Sequence, residues 1–116
     1  MKPPDDRLRL VHMLEHAREA VALAGGKTRV DLGSDRLLEL ALVRLVEVVG
    51  EAASHVSDET RARHPQIPWR AITSMRHRLA HGYDAVDLDI LWNTIDEDLR
   101  PLIGQLEAAL DMPGAE

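Results

Sequence analysis

The stretch Pro68-Trp69-Arg70-Ala71-Ile72-Thr73-Ser74-Met75-Arg76-His77-Arg78-Leu79-Ala80-His81-Gly82-Tyr83 decides how the chain is read, because packing alone does not account for its residue types. The spacing predicts one short helix from Trp69 to His81. Pro68 suits the first helical position, where its missing N–H costs nothing, and Gly82 suits the position just past the end. At about 100° per residue, Trp69, Ile72, Arg76, Leu79 and Tyr83 share one stripe. That places an arginine in an apolar row. An unpaired buried guanidinium is expensive, so Arg76 is expected to line a cleft, to pair with an acid, or to face a second copy of the chain.

The rest of the chain sets the frame for this helix. Its 116 residues suit a single domain, 1–116, with a real core. The apolar residues are chiefly Leu, Val and Ala, with two Trp, one Tyr and no Phe, a mixture that favours packed helices over sheets. An all-α protein is expected, an antiparallel bundle of four main helices plus a short one. The absence of cysteine excludes disulfides and thiolate metal sites. The opening residues Met1 to Asp6 lack the apolar core of a signal peptide and no apolar run suits a membrane span, so a cytoplasmic location is the default expectation.

Net charge is −6, which by itself argues against a nucleic-acid binder. The distribution argues differently. From Arg61 to Gly82 lie five arginines, three histidines and no acid, leaving 9 of the 14 basic residues elsewhere against all 20 acidic ones. Such a block can hold an anionic ligand on an acidic body; the simpler reading of a charge run is a solvated face.

In chain order, Asp5 or Asp6 is expected to cap a first helix carrying Leu10, Leu14, Ala17, Val21 and Ala24, stopped by Gly25-Gly26. His12 and His16 lie four apart, but without a further ligand they read as solvated helix residues. Residues 27–33 read as a turn. Ser34 is the expected cap of a long second helix. From Leu37 to Val56 that helix is apolar around most of its circumference, apart from a polar line of Arg44, Glu47, Glu51 and His55, and should be packed on several sides. Gly50 permits close approach by another helix. Glu47 and Glu51 could serve as a carboxylate pair, but a structural counter-charge for Arg76 is the stronger reading.

Ser57-Asp58-Glu59 marks a short helix ending before Pro65, and the two prolines of Pro65-Gln66-Ile67-Pro68 fix the entry direction of the central stretch. Asp87 is the expected cap of a last helix. It runs from about Leu88 to Leu110 with Leu88, Leu91, Ile95, Leu99, Leu102, Leu106 and Ala109 on one face, broadened by Trp92 and Ile103 and kinked or broken by Pro101. Residues 111–116 are expected to fray.

Three chemistries compete for the segment Arg76 to Tyr83. A metal site on His77 and His81 is disfavoured by the cation at Arg78 between them. A plain basic surface is the second. The third is phosphodiester chemistry, in which a histidine moves protons near neutral pH and an arginine gives two parallel hydrogen bonds to phosphate. On a continuous helix Arg76 and His81 would stand about 140° apart. Either the helix ends near His81, or two copies meet across a two-fold axis and supply a second histidine.

Ile67-Pro68-Trp69, Met75-Arg76, and Arg76 followed after four residues by His81-Gly82-Tyr83 resemble the signature of the HEPN superfamily, in its HepT-like (DUF86) branch. Val49-Gly50-Glu51-Ala52, Arg63-His64-Pro65, Val86-Asp87-Leu88, and Trp92 with Asp98-Leu99 extend the resemblance over nearly the whole chain, from about Asp5 to Leu110. The resemblance implies a helical bundle that dimerises with its motif helices facing a shared cleft. It also implies a ribonuclease toxin of a type VII toxin–antitoxin module, encoded beside a small nucleotidyltransferase of the MntA (MNT) type. Arg76 and His81 inherit the catalytic roles, with no metal and no cofactor. Tyr83 inherits the role of the tyrosine that the partner adenylylates to silence the toxin. His77 stands where the family usually has Asn, and Asp84 where an apolar or aromatic residue is expected. Arg70, Arg78 and His77 are candidates for positioning RNA. The alternative is a non-catalytic subunit of a nucleotidyltransferase complex, with the basic cleft holding a nucleotide or the partner's product.

Overall fold

The computed structural model describes residues 4–79 and 86–111, and all its regular elements there are helical. In order these are α1 (Pro4–Ala24), α2 (Arg29–Ser34), α3 (Arg36–Ser54), α4 (Asp58–Arg63), α5 (Trp69–Thr73), α6 (Met75–Leu79), α7 (Leu88–Asn93), a π-helical turn (Thr94–Leu99) and α8 (Arg100–Asp111). The expected all-α bundle is what the chain forms. Its long members are α1, α3 and the rod from α7 to α8, and the fourth main helix expected over the central stretch is the pair of short turns α5 and α6.

The start of α1 sits beside the link after α3, where Asp6 meets Ser57, and beside the end of α8, where Arg7 Nη1 donates to the Leu110 carbonyl at 3.3 Å. Both neighbours therefore run antiparallel to α1. The core between them takes Leu10, Met13 and Ala17 from α1, Leu42, Val46 and Val49 from α3, and Leu99, Leu102 and Leu106 from the last rod, all essentially without solvent exposure. Each buried Leu or Val contributes about 1.5–3 kcal/mol relative to exposure, which gives the amphipathic helices their reason to meet.

Local sequence explains most boundaries. Gly26 takes φ 77°, the left-handed conformation that ends α1 where Gly25-Gly26 predicts it. Asp87 caps α7 as expected and α4 starts after Ser57, which proves to be its cap; each side chain accepts from the N–H three residues on. Other expectations are corrected. Residues 29–34 are a helix rather than a turn, because Thr28 and Asp31 form a reciprocal capping box. Asp35, not Ser34, caps α3, accepting from Leu38 N at 3.0 Å, while Ser34 finishes α2. Asp6 is buried, and its carboxylate accepts from Ser57 N at 3.1 Å, Ser57 Oγ at 2.5 Å and Thr60 Oγ1 at 2.6 Å, so it ties α1 to the start of α4 instead of capping its own helix.

α3 is packed on several sides, by α1, α2, α5 and α6, while Leu37, Leu40, Arg44, Glu51 and His55 are exposed and Glu47 is half-buried. Asp111 belongs to α8 rather than to a frayed tail, and residues 112–116 lie outside the described residues. The disturbance expected at Pro101 takes the form of the widened turn Thr94–Leu99 just before it. The missing N–H then falls at the seam between two hydrogen-bond registers, and the rod from Leu88 to Asp111 continues without a non-helical residue. The added width turns both Thr94 and Ile95 into the core.

Candidate active site

The central stretch is two helical turns joined at Ser74, not one helix. Ser74 has φ −96° and ψ 2°, and its hydroxyl donates to the Ala71 carbonyl at 3.2 Å. The buried positions on either side of the joint are Trp69, Ile72, Met75 and Leu79. Arg76 consequently lies outside the apolar row that a straight helix would give it and is exposed.

The approach to the site is rigidly built. Trp69 Nε1 donates to the His64 carbonyl at 3.0 Å, and the Arg61 guanidinium covers the indole at 5.6 Å from its centroid. Arg61 also donates to the Ala53 and Val56 carbonyls at 2.9 and 3.2 Å, which satisfies the C-terminal end of α3. Where α5 ends, the Ile72 carbonyl faces Gly50, and a Cβ at that glycine would stand 3.2 Å from the oxygen. Gly50 thus does what its place in the sequence predicts, letting α3 and the central stretch approach closely. His64 is buried with Nδ1 unpartnered among the described residues, and burial, followed by the neighbouring Arg63 charge, lowers its pKa below the ordinary histidine value.

Arg76 opens onto two adjoining hollows. A groove of about 510 Å³ is lined by Arg76, by Arg44, Glu47, Glu51 and His55 along α3, and by Arg9 and His12 of α1. A smaller pocket of about 180 Å³ puts Arg76 beside His77, Thr73 and Ser54, with Glu47 and Glu51 again on its wall. Among the described residues no hydrogen bond or ion pair engages the Arg76 guanidinium. The expected counter-charge is therefore absent there: Glu47 Oε1 lies 3.7 Å from Arg44 Nη1, and Glu51 Oε2 lies 3.8 Å from His55 Nδ1. Of the alternatives for Arg76, the cleft is the one the described residues support.

Arg70 and Arg78 belong elsewhere. They flank a shallow, mostly apolar hollow of about 560 Å³ over Pro68, Trp69 and Ala71. Arg78 Nη2 is already engaged, donating to Asp98 Oδ2 at 3.0 Å and to the Ala71 carbonyl at 3.4 Å. The structure thus brings Arg76 and His77 together and separates them from Arg70 and Arg78. His81, Tyr83 and Asp84 lie outside the described residues, as does Gly82. Arg9 and His12 are groove residues that sequence reasoning missed; the only available signal was the polar line Arg44, Glu47, Glu51, His55 on an otherwise apolar helix, which marks the floor they overlook. Among the described residues no three His, Asp or Glu side chains cluster at metal-binding distance, and no helix is long and apolar enough to cross a membrane.

A guanidinium left unengaged beside a histidine, in a groove able to admit a polyanion, suits phosphate chemistry. Comparison with known proteins points the same way. Residues 13–109 match the family described as ribonuclease HepT-like. The chain is 37% identical over 98 residues, 81% of its length and 89% of the relative's, to a Thermococcus cleftensis protein named "Probable ribonuclease HepT". It is 34% identical over 110 residues, covering 95% of this chain and 96% of the other, to a "Putative RNase" of Caldanaerobacter subterraneus subsp. tengcongensis. No solved structure gives a significant match. With an all-α bundle, a motif arginine opening on a groove and a family match over most of its length, the chain belongs to the ribonuclease HepT-like family.

Proposed function

We propose that the chain is a metal-independent endoribonuclease toxin, working as a homodimer that cleaves RNA in a cleft between two copies. In this reading a histidine base takes the proton from a 2′-hydroxyl, the 2′-oxygen attacks the adjacent phosphorus, and the 5′-oxygen leaves with a proton from an acid. His81 and its counterpart in the second copy fill the two proton-transfer roles. Arg76 neutralises the charge that accumulates on the non-bridging oxygens. The observation that carries the reading is the exposed Arg76 guanidinium, unengaged among the described residues and opening on the groove of a chain in a ribonuclease family.

Silencing is assigned to adenylylation of Tyr83 by a partner nucleotidyltransferase antitoxin of the MntA type. Tyr83 is the only tyrosine in the chain, so the modified site is unambiguous. The test incubates labelled RNA with the protein in a chelator, with and without prior treatment by the nucleotidyltransferase and ATP. The expected result is cleavage that resists the chelator, disappears in Arg76→Ala and His81→Ala, and is abolished by the treatment in the parent but not in Tyr83→Phe. Cleavage that persists in the double alanine variant overturns the assignment. No cleavage under any condition supports instead a subunit that only binds its partner or a nucleotide.

A further inference from the structure

Most of the described arginines are engaged by the chain itself. Arg7, Arg18, Arg29, Arg36, Arg61, Arg78 and Arg100 each donate to a carbonyl or a carboxylate of the chain. The three that line the groove are more weakly held, as is Arg70 over the separate hollow beside Trp69. Arg9 and Arg76 have no hydrogen bond or ion pair among the described residues, and Arg44 reaches Glu47 only at 3.7 Å with three-quarters of its side chain exposed. A bundle with 20 acidic residues has ample carboxylate to engage them. Arg9 and Arg76 leave their donors open to the groove, where Arg44 holds only the long pair to Glu47.

The spacing identifies what the strip can take. From Arg44 to Glu51, the residue beside Arg76, is seven positions along α3, a rise of about 10 Å, and Arg9 stands on the next helix across the groove. One phosphate cannot satisfy donors so far apart; a chain of phosphates can. Glu47 and Glu51 lie between the arginines and reduce the local positive charge, which leaves a graded track rather than a cationic sink.

We propose that Arg9 and Arg44 form a backbone-binding track for single-stranded RNA that leads away from Arg76 across α3 to α1, a positioning role distinct from the chemistry at Arg76. This rests on the ribonuclease reading of the same site. Phosphate contacts of this kind set register and affinity without selecting bases. They also leave a signature that a structural role lacks: each phosphate neutralised on a single strand contributes about 0.7 to the slope of log K against log salt.

The test measures binding of a short 2′-O-methyl RNA, which cannot be cut through its 2′-oxygen, across a salt series, with folding of each variant checked by thermal unfolding. Arg9→Ala and Arg44→Ala are each expected to flatten the slope by about 0.7 and to weaken binding several-fold at low salt. Arg18→Ala removes the same charge from an arginine paired with Glu107 outside the groove, and is expected to leave the slope unchanged. A wild-type slope in both Arg9→Ala and Arg44→Ala, together with a flattened slope in Arg76→Ala, overturns the track and leaves the ribonuclease reading standing. Failure of the unaltered protein to bind the RNA while it also cuts none overturns both.

Discussion

The carbonyl oxygen of Ile72 lies against Gly50, so close that a β-carbon there would sit 3.2 Å from it. Backbone meets backbone at this point, and the end of α5 is thereby set against α3 directly below Arg76. Gly50→Ala gains about 1 kcal/mol of helix propensity. Against that gain stands an overpacking cost of about 1–3 kcal/mol, since a carbonyl cannot swing aside as a side-chain tip can. The expected outcome is a net loss of about 1 kcal/mol in denaturant unfolding, with a larger loss for Gly50→Val and reduced RNA cleavage in both.

Arg76→Ala separates catalysis from stability. The side chain is exposed and engages no described residue, so unfolding free energy should stay within about 0.5 kcal/mol of the parent. Cleavage should fall by about 10² to 10³, the usual cost of removing a charge-stabilising donor. Arg76→Lys, which keeps the charge but loses the planar fork, should recover only part of the rate. Parallel unfolding curves and single-turnover cleavage check both halves.

Asp6 is a structural carboxylate whose loss should be felt. Its oxygens accept from Ser57 N, Ser57 Oγ and Thr60 Oγ1, and Asp6→Asn would turn one acceptor into a donor facing donors. We expect a cost of about 2 kcal/mol in denaturant unfolding. Ser57→Ala, which removes the cap of α4 and one donor to Asp6, should cost about 1 kcal/mol.

His64 gives the fold an acid-side weakness. Its pKa is lowered in the folded chain, by burial first and by Arg63 second, so the unfolded state binds the proton more readily. The stability associated with neutral His64 is fully present above the folded pKa and the unfolded value of about 6.5, and drains away as pH falls from 6.5 through the lowered folded value. Thermal unfolding followed from pH 8 to 5 should show this loss, and His64→Gln should flatten the pH dependence over that window.

Arg78 and Arg70 should matter less for cleavage than Arg76. The Arg78 to Asp98 pair at 3.0 Å is partly exposed, so Arg78→Ala should cost no more than about 1 kcal/mol of stability. Because Arg70 and Arg78 border a different hollow from Arg76, single alanine variants are expected to change RNA cleavage by less than tenfold under single-turnover conditions.

What could be read from the sequence was what neighbouring residues decide among themselves. Asp87 caps its helix, a short helix starts at Ser57-Asp58-Glu59, Gly25-Gly26 ends the first, and the face from Leu91 to Ala109 is buried as its spacing requires. Tertiary contact decided the rest. The joint at Ser74 turns Met75 inward and Arg76 outward, and no local signal reports it, since Ser is tolerated within helices as well as at breaks. Asp6 looked like a cap because Asp caps helices; its actual donors are more than fifty residues away. The sequence singled out Arg76 as a residue facing a cleft, whereas Arg9 and His12 of the same groove became visible only when α1 was laid beside α3.

The five residues of α6 are held like a crossbar. At one end the α5 carbonyl rests on Gly50 of α3; at the other, Arg78 donates to Asp98 of the final rod and the Leu79 carbonyl accepts from the N–H of Asp87, which caps that rod, at 3.0 Å. Because α6 touches both α3 and the last rod, the place of Arg76 is set by how far apart those two stand.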